Sequence, residues 1–137
     1  MENKDNCLIQ PIGYLRTDED EIPRHYSISK LKGKIVLFRQ FLPGLKNFQF
    51  AQSDKIMVVF LFNKSPKFTS DKFIQQPSNR PEKRGVFFTC SPLRPNPIGV
   101  SILKLEKIEA NVLWVEGIDM MDGTPIIDIK LWRDNFR

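Results

Sequence analysis

Three prolines fall within six residues, Pro92 to Pro97, and two of them flank an asparagine in the string Arg94-Pro95-Asn96-Pro97-Ile98-Gly99. Each proline fixes its own φ and drives the residue before it toward extended geometry. Ser91, Arg94 and Asn96 are therefore expected to be extended, and alternate side chains of an extended chain share a face. Read this way, the segment is a stiff rail. It presents a guanidinium and an amide together, with little entropy left to lose on binding. The plainer alternative is a rigid connector between two strands, with Arg94 paired to an internal carboxylate.

A second constellation lies downstream. Asp122-Gly123 sits between apolar runs, a strong hairpin signal. Asp119, Asp122 and Asp128 sit close together in sequence. An exposed carboxylate beside free backbone amides at a tight turn can hold an amino or hydroxyl group of a small ligand. Equally, these acids can pair with Arg94 and hold the fold together. A third segment, Pro23-Arg24-His25-Tyr26-Ser27, carries the sole histidine. Imidazole can serve as a general base, although a single His is more often a hydrogen-bonded structural residue.

What is missing narrows the chemistry. Two cysteines, Cys7 and Cys90, and one histidine, with no CxxC or HxxxH spacing, do not make a conventional zinc set. A triad would have to use His25, and no GxSxG is present. No apolar run reaches the roughly 18 residues of a membrane helix. The start, Met1-Glu2-Asn3-Lys4-Asp5, lacks the basic-then-apolar layout of a signal peptide. The expectation is a cytoplasmic protein with neither metal nor membrane partner, in which a disulfide would be unusual. Charge is unevenly spread. Between Ile22 and Lys104 lie fifteen Lys or Arg and only three acids, Asp54, Asp71 and Glu82. That balance suggests a polyanion partner; a solvated basic face is the bland reading.

The elements that must position these residues read mainly as strands. Ile9 to Arg16 is a first strand, confined by Pro11 to an edge or a bulge. Lys34 to Phe41 is rich in β-branched and aromatic residues and is stopped by Pro43-Gly44. Leu45 to Ser53 has room for one short helical turn. Ile56 to Phe62 is apolar on both faces and is expected to be a central, buried strand. Val86 to Cys90, Ile98 to Lys107, Val112 to Gly117 and Ile126 to Leu131 complete the set. Ten prolines and short strands without intervening helices predict a barrel or sandwich in a single domain, residues 1–137. Asn63 to Arg84 stands apart as a long basic loop. It holds three prolines and six Lys or Arg, with Phe68 and Phe73 among them. Aromatics interleaved with cations suit single-stranded nucleic acid; a surface loop with both Phe tucked onto the core is the alternative.

Taken together, these segments resemble the TsaA-like family, the TrmO-type tRNA methyltransferases. The likeness runs in order through Ile12 to Thr17, Pro23-Arg24, Phe60-Leu61-Phe62, Gly85-Val86-Phe87, Arg94 to Gly99, Asp122 to Pro125 and Asp128-Ile129-Lys130. The resemblance implies a mainly β, single-domain barrel and a homodimer. It implies S-adenosyl-L-methionine as cofactor and methylation of N6 of threonylcarbamoyladenosine in the tRNA anticodon loop. By matching motifs, it places cofactor contacts on His25, Tyr26 and Ser27, on Phe62 and Asn63, on Cys90 and Val100, and on Asp122, Gly123, Thr124 and Pro125. Arg94 and Asn96 become a rail for substrate or structure, and the basic loop a holder for the anticodon stem-loop. The family usually has Arg where Cys90 stands and His where Asn63 stands. A thiol has neither the charge nor the fork of a guanidinium. Two other readings therefore stay open: a non-catalytic module that binds the cofactor or RNA, and a methyltransferase for a small molecule.

Overall fold

The computed structural model describes residues 7–51, 54–77 and 80–133. Eight strands follow one another: β1 (Gly13–Arg16), β2 (Lys32–Leu37), β3 (Lys55–Leu61), β4 (Ile74–Gln75), β5 (Arg84–Gly85), β6 (Ile98–Glu109), β7 (Val112–Glu116) and β8 (Pro125–Trp132). Six of them close into a barrel in the order β1–β2–β7–β6–β3–β8, each neighbouring pair antiparallel. β4 and β5 form a separate two-stranded ribbon.

The period-2 pattern fills the barrel. On β2, Gly33, Ile35 and Leu37 are buried while Lys32 and Lys34 are exposed. On β3, Ile56, Val58 and Phe60 point inward. With Leu15, Leu103, Leu105, Leu113, Val115 and Ile126 they make one core cluster. Each such side chain contributes about 1.5–3 kcal/mol by leaving water. β6 keeps Gly99, Ser101, Leu103 and Leu105 inward. A register shift between Leu105 and Lys107 then lets Ile108, rather than Lys107, pack against the core.

Past β7 the chain turns at Gly117, whose φ of 102° favours glycine. The Gly117 and Ile118 N–H groups both donate to Leu31 O. Ile118 and Met120 then enter the core, so this connection stoppers the barrel.

The registers place every expected site segment at that same mouth. β1, β3 and β7 run toward it, and β2, β6 and β8 lead away. Residues 17–31, 62–77, 80–97 and 117–124 therefore all emerge there. The other mouth carries residues 38–51, Asp54 and the tight turn at Ala110 and Asn111.

Four expectations need correction. The strand expected to reach Phe41 stops at Leu37, and a 3₁₀ helix, Arg39–Leu45, follows. Beyond Val36, β2 has no ladder partner on β7, and Pro43 lacks the N–H a strand needs. The helical turn thus lies upstream of the expected 45–53. Val86 to Cys90 is not a strand: Val86–Phe88 is a 3₁₀ turn closed by Thr89 N–H donating to Val86 O. Asp122-Gly123 forms a tight turn but not a hairpin, because β7 and β8 are not neighbours in the barrel. The long basic loop contains the 3₁₀ turn Ser70–Lys72 and the ribbon.

Candidate functional site

The turn Met121 to Thr124 is tied on both sides. Thr124 donates through its N–H and Oγ1 to Met121 O, at 3.1 and 2.7 Å. Gly123 N–H donates to Leu15 O, and Leu15 N–H to Thr124 O. Gly123 has φ of 84°, which glycine adopts without strain. The Asp122 carboxylate accepts from Thr17 N–H at 3.0 Å and lies 4.0 Å from the Arg16 guanidinium, yet stays exposed. Thr124 and Pro125 are buried and shape the turn from beneath. Asp128 does not join them. It faces outward on β8 and pairs with Lys130 at 2.6 Å.

His25 caps the 3₁₀ turn Tyr26–Ile28. Its Nδ1 accepts from Ser27 N–H at 3.2 Å and lies 2.7 Å from Ser27 Oγ. With Nδ1 so engaged, the neutral ring carries its proton on Nε2. The ring stacks on Tyr26 with centroids 4.2 Å apart. Tyr26 and Ser27 line a cleft of about 320 Å³ with Ser29, Lys55, Ile102, Lys104, Glu116 and Gly117.

Asp119 anchors this turn to the barrel. It accepts from Ser101 Oγ at 2.5 Å and from the Tyr26 backbone N–H, with the His25 ring in electrostatic reach. Burial pushes its carboxyl above the usual carboxylate range, and the hydrogen bonds only partly oppose that. Asp119 was legible as one of three neighbouring acids. Its partner Ser101 was not singled out, although a serine on the inward parity of β6, between Gly99 and Leu103, was the available signal.

The proline-rich segment is a bent connector rather than an extended rail. Among the described residues, no carboxylate lies within ion-pair distance of Arg94. Its Nη1 donates to Thr89 O and Ser91 O, at 3.0 and 3.2 Å, and so holds the loop on both sides of Cys90. Asn96 is exposed, and its carbonyl accepts from Ile98 N–H. Gly99 is required: a Cβ there would sit 2.4 Å from the Phe60 ring and 2.8 Å from that of Phe62. Those two rings meet edge to face, and Phe62 is thereby held half-buried at the mouth, with Asn63 exposed beside it. Val100, on the outer face of β6, is 46% exposed. Cys90 and Cys7 are both free and exposed.

The ribbon is mounted on the same connector. Gln75 Nε2 donates to Leu93 O and Lys72 O, both at 2.7 Å. Ser65 Oγ donates to Pro92 O, and Val86 N–H to Phe73 O. Phe68 packs edge to face on Phe73, with Phe73 and Ile74 left exposed.

Comparisons with known proteins agree with this layout. The family model described as the tRNA-methyltransferase O N-terminal domain matches residues 15–136. A human tRNA (adenine(37)-N6)-methyltransferase is 34% identical over 131 residues, covering 91% of this chain and 30% of that protein. An S-adenosyl-L-methionine-binding protein of Archaeoglobus fulgidus is 33% identical over 126 residues, covering 90% of this chain and 87% of its own. Among solved structures, TrmO from Pseudomonas aeruginosa superposes with a TM-score of 0.75 at 31% identity, over 98% of this chain and 60% of that one. The chain thus spans under a third of the human relative's length.

Proposed function

This chain belongs to the tRNA-methyltransferase O N-terminal domain family, and from that premise we propose that it is an S-adenosyl-L-methionine-dependent methyltransferase acting on N6 of threonylcarbamoyladenosine in the tRNA anticodon loop. The observation that carries this reading is convergence. Three connections far apart in sequence bring the His25–Ser27 turn, the Phe62-to-Pro97 segment and the Asp122 turn to one mouth of the barrel.

The residues present fit the cofactor. Tyr26 and Ser27 border a cleft, with His25 stacked on Tyr26, Phe62 is half-buried at the mouth, and Asp122 offers an exposed carboxylate that suits a cationic or hydroxyl-bearing ligand. Asn63, Cys90, Val100 and the Gly123-Thr124-Pro125 backbone complete the proposed contacts. When bound, the cofactor supplies an activated methyl group on a sulfonium. The protein's task is then to orient and desolvate rather than to act as a strong base. His25 fits that role, since its Nδ1 is committed to the turn. An anticodon-loop base is already single-stranded, so taking it out of its stack is cheap. The basic ribbon, held to the connector by Gln75, is the proposed grip on the stem-loop.

We extend the proposal to a homodimer working in the cytoplasm. Ile28, Phe87, Phe88, Val100 and Met121 are exposed apolar side chains on segments of the site mouth and the adjoining outer face of β6, and a second copy would cover them. The test is transfer of labelled methyl from S-adenosyl-L-methionine to threonylcarbamoyladenosine-containing tRNA. Absence of transfer with cofactor binding intact would overturn the enzymatic reading. A second reading, a binding module without transfer, is favoured by one observation: Cys90 puts an exposed thiol where the family usually has a guanidinium. Under it, Cys90→Arg creates or raises transfer; an active wild type with a neutral Cys90→Arg rules it out.

A further inference from the structure

We propose that the outer wall of β1, β2, β7 and β6 is a second RNA-contacting surface, a phosphate track that leads away from the candidate site. It rests on the reading of an RNA substrate given above. The registers align Arg16 with Lys34, Lys34 with Trp114, and Trp114 with Lys107. Four neighbouring strands thus carry one outward row of three cations and one indole, spanning roughly 14 Å at the usual strand spacing. The row begins at the site, because Arg16 lies 4.0 Å from Asp122.

Two features mark the row as unfinished by the fold alone. Arg16 faces Lys34 directly across the β1–β2 ladder, and Lys104 faces Lys55 across β6–β3. Like charges directly opposite destabilise a sheet. The local acids relieve the row only at its two ends, where Asp122 lies 4.0 Å from Arg16 and Glu109 takes Lys107 at 3.2 Å; Glu106 takes Lys32 at 3.3 Å. Glu116 stands in register between Lys32 and Lys104. Among the described residues, Lys34, Lys55 and Lys104 have no carboxylate within ion-pair distance. Lys34, and with it the Glu109-paired Lys107, sits over the Trp114 ring, at 5.7 and 4.6 Å. That contact orders their long side chains before any ligand arrives, lowering the entropy lost on binding. A strand of phosphates supplies the missing anions.

The experiment compares Lys34→Gln/Lys107→Gln with wild type in binding tRNA over a salt series. The expected result is weaker binding at low salt and a log–log salt slope shallower by about 1 for each cation removed. Calorimetric binding of S-adenosyl-L-methionine should be unchanged, which also reports that the variant is folded. Lys46→Gln, at the opposite mouth, should leave the slope as it is. A double variant with wild-type affinity and slope overturns the track. So does a Lys46→Gln effect equal to that of Lys34→Gln alone, which would make net charge the cause. Loss of binding to anionic lipid vesicles without loss on tRNA would assign the wall to a membrane surface and overturn the RNA assignment. A wild type that binds no tRNA at any salt defeats the RNA-substrate reading itself and the track with it, an outcome distinct from the others.

Discussion

At the residue scale, the least expected contributor is Asp119. It links a buried hydroxyl inside the barrel to the backbone of the Tyr26 turn. Because burial raises its pKa on folding, the folded state holds that proton more tightly than the unfolded chain does. This group therefore costs nothing below its unfolded pKa, and stability declines as pH rises from there through the raised folded value. Urea unfolding across this range should show that decline in the wild type and a flatter profile for Asp119→Asn. Gly99 has a simpler consequence. Gly99→Ala drives a methyl into the Phe60 and Phe62 rings, which should cost about 1–3 kcal/mol in the same assay and disturb Phe62 at the site. Of the residues drawn from the sequence, Asp122 and His25 stand where their types suggested, on a tight turn and in a hydrogen-bonded cap. Arg94 does not, because proline spacing predicts backbone bias but not where a long side chain folds back. The Ser101–Asp119 contact was out of reach of spacing arguments, since it joins two strands' worth of chain through the barrel interior.

At the element scale, long alternating runs were legible and short ones were not. β2, β3 and β6 follow from their period-2 burial; β3 pairs with β6 and β8, but closure gives every barrel strand two neighbours, and only its inward face is buried while Met57, Val59 and Leu61 are half-buried. Val86-Phe87-Phe88 carries the same residue types but forms a 3₁₀ turn, because β propensity expresses itself only where a partner strand is available. The ribbon offers a test of mounting. Gln75→Ala removes its amide contacts to Leu93 and Lys72. Amide exchange in β4 and β5 should then accelerate, and tRNA affinity should fall while cofactor affinity holds. At the other mouth, Asp54 fastens two elements: it accepts from Ala51 N–H at 2.9 Å and from Arg133 Nη2 at 3.2 Å. The Ala51 amide first, then Arg133, hold its carboxyl below the usual range. Its contribution is present above the unfolded pKa and is lost as pH falls through the lower folded one. Asp54→Asn should thus lower the urea midpoint at neutral pH, with the deficit shrinking in acid.

At the scale of the whole molecule, composition and strand spacing narrowed the architecture to a barrel or a sandwich. Closure itself was not readable, because it depends on which distant strands meet. Here the first barrel strand meets the last through only two aligned pairs, Gly13 with Ile126 and Tyr14 with Pro125. Backbone bonds from Ile12 N–H to Ile126 O and from Leu15 N–H to Thr124 O reinforce the seam. That seam has a kinetic meaning. More than a hundred residues separate Gly13 from Ile126, so its formation bears the largest loop-closure entropy of any contact in the barrel. The local β6–β7 hairpin can form early, whereas the seam must wait for both of its strands. In a pulse-labelled refolding experiment, the Ile12 and Leu15 amides should gain protection after the ladder amides that β6 and β7 exchange with each other. During synthesis, the Asp122 turn would stay unlatched from β1 until β8 has left the ribosome, and a half-made chain would have no working mouth to offer.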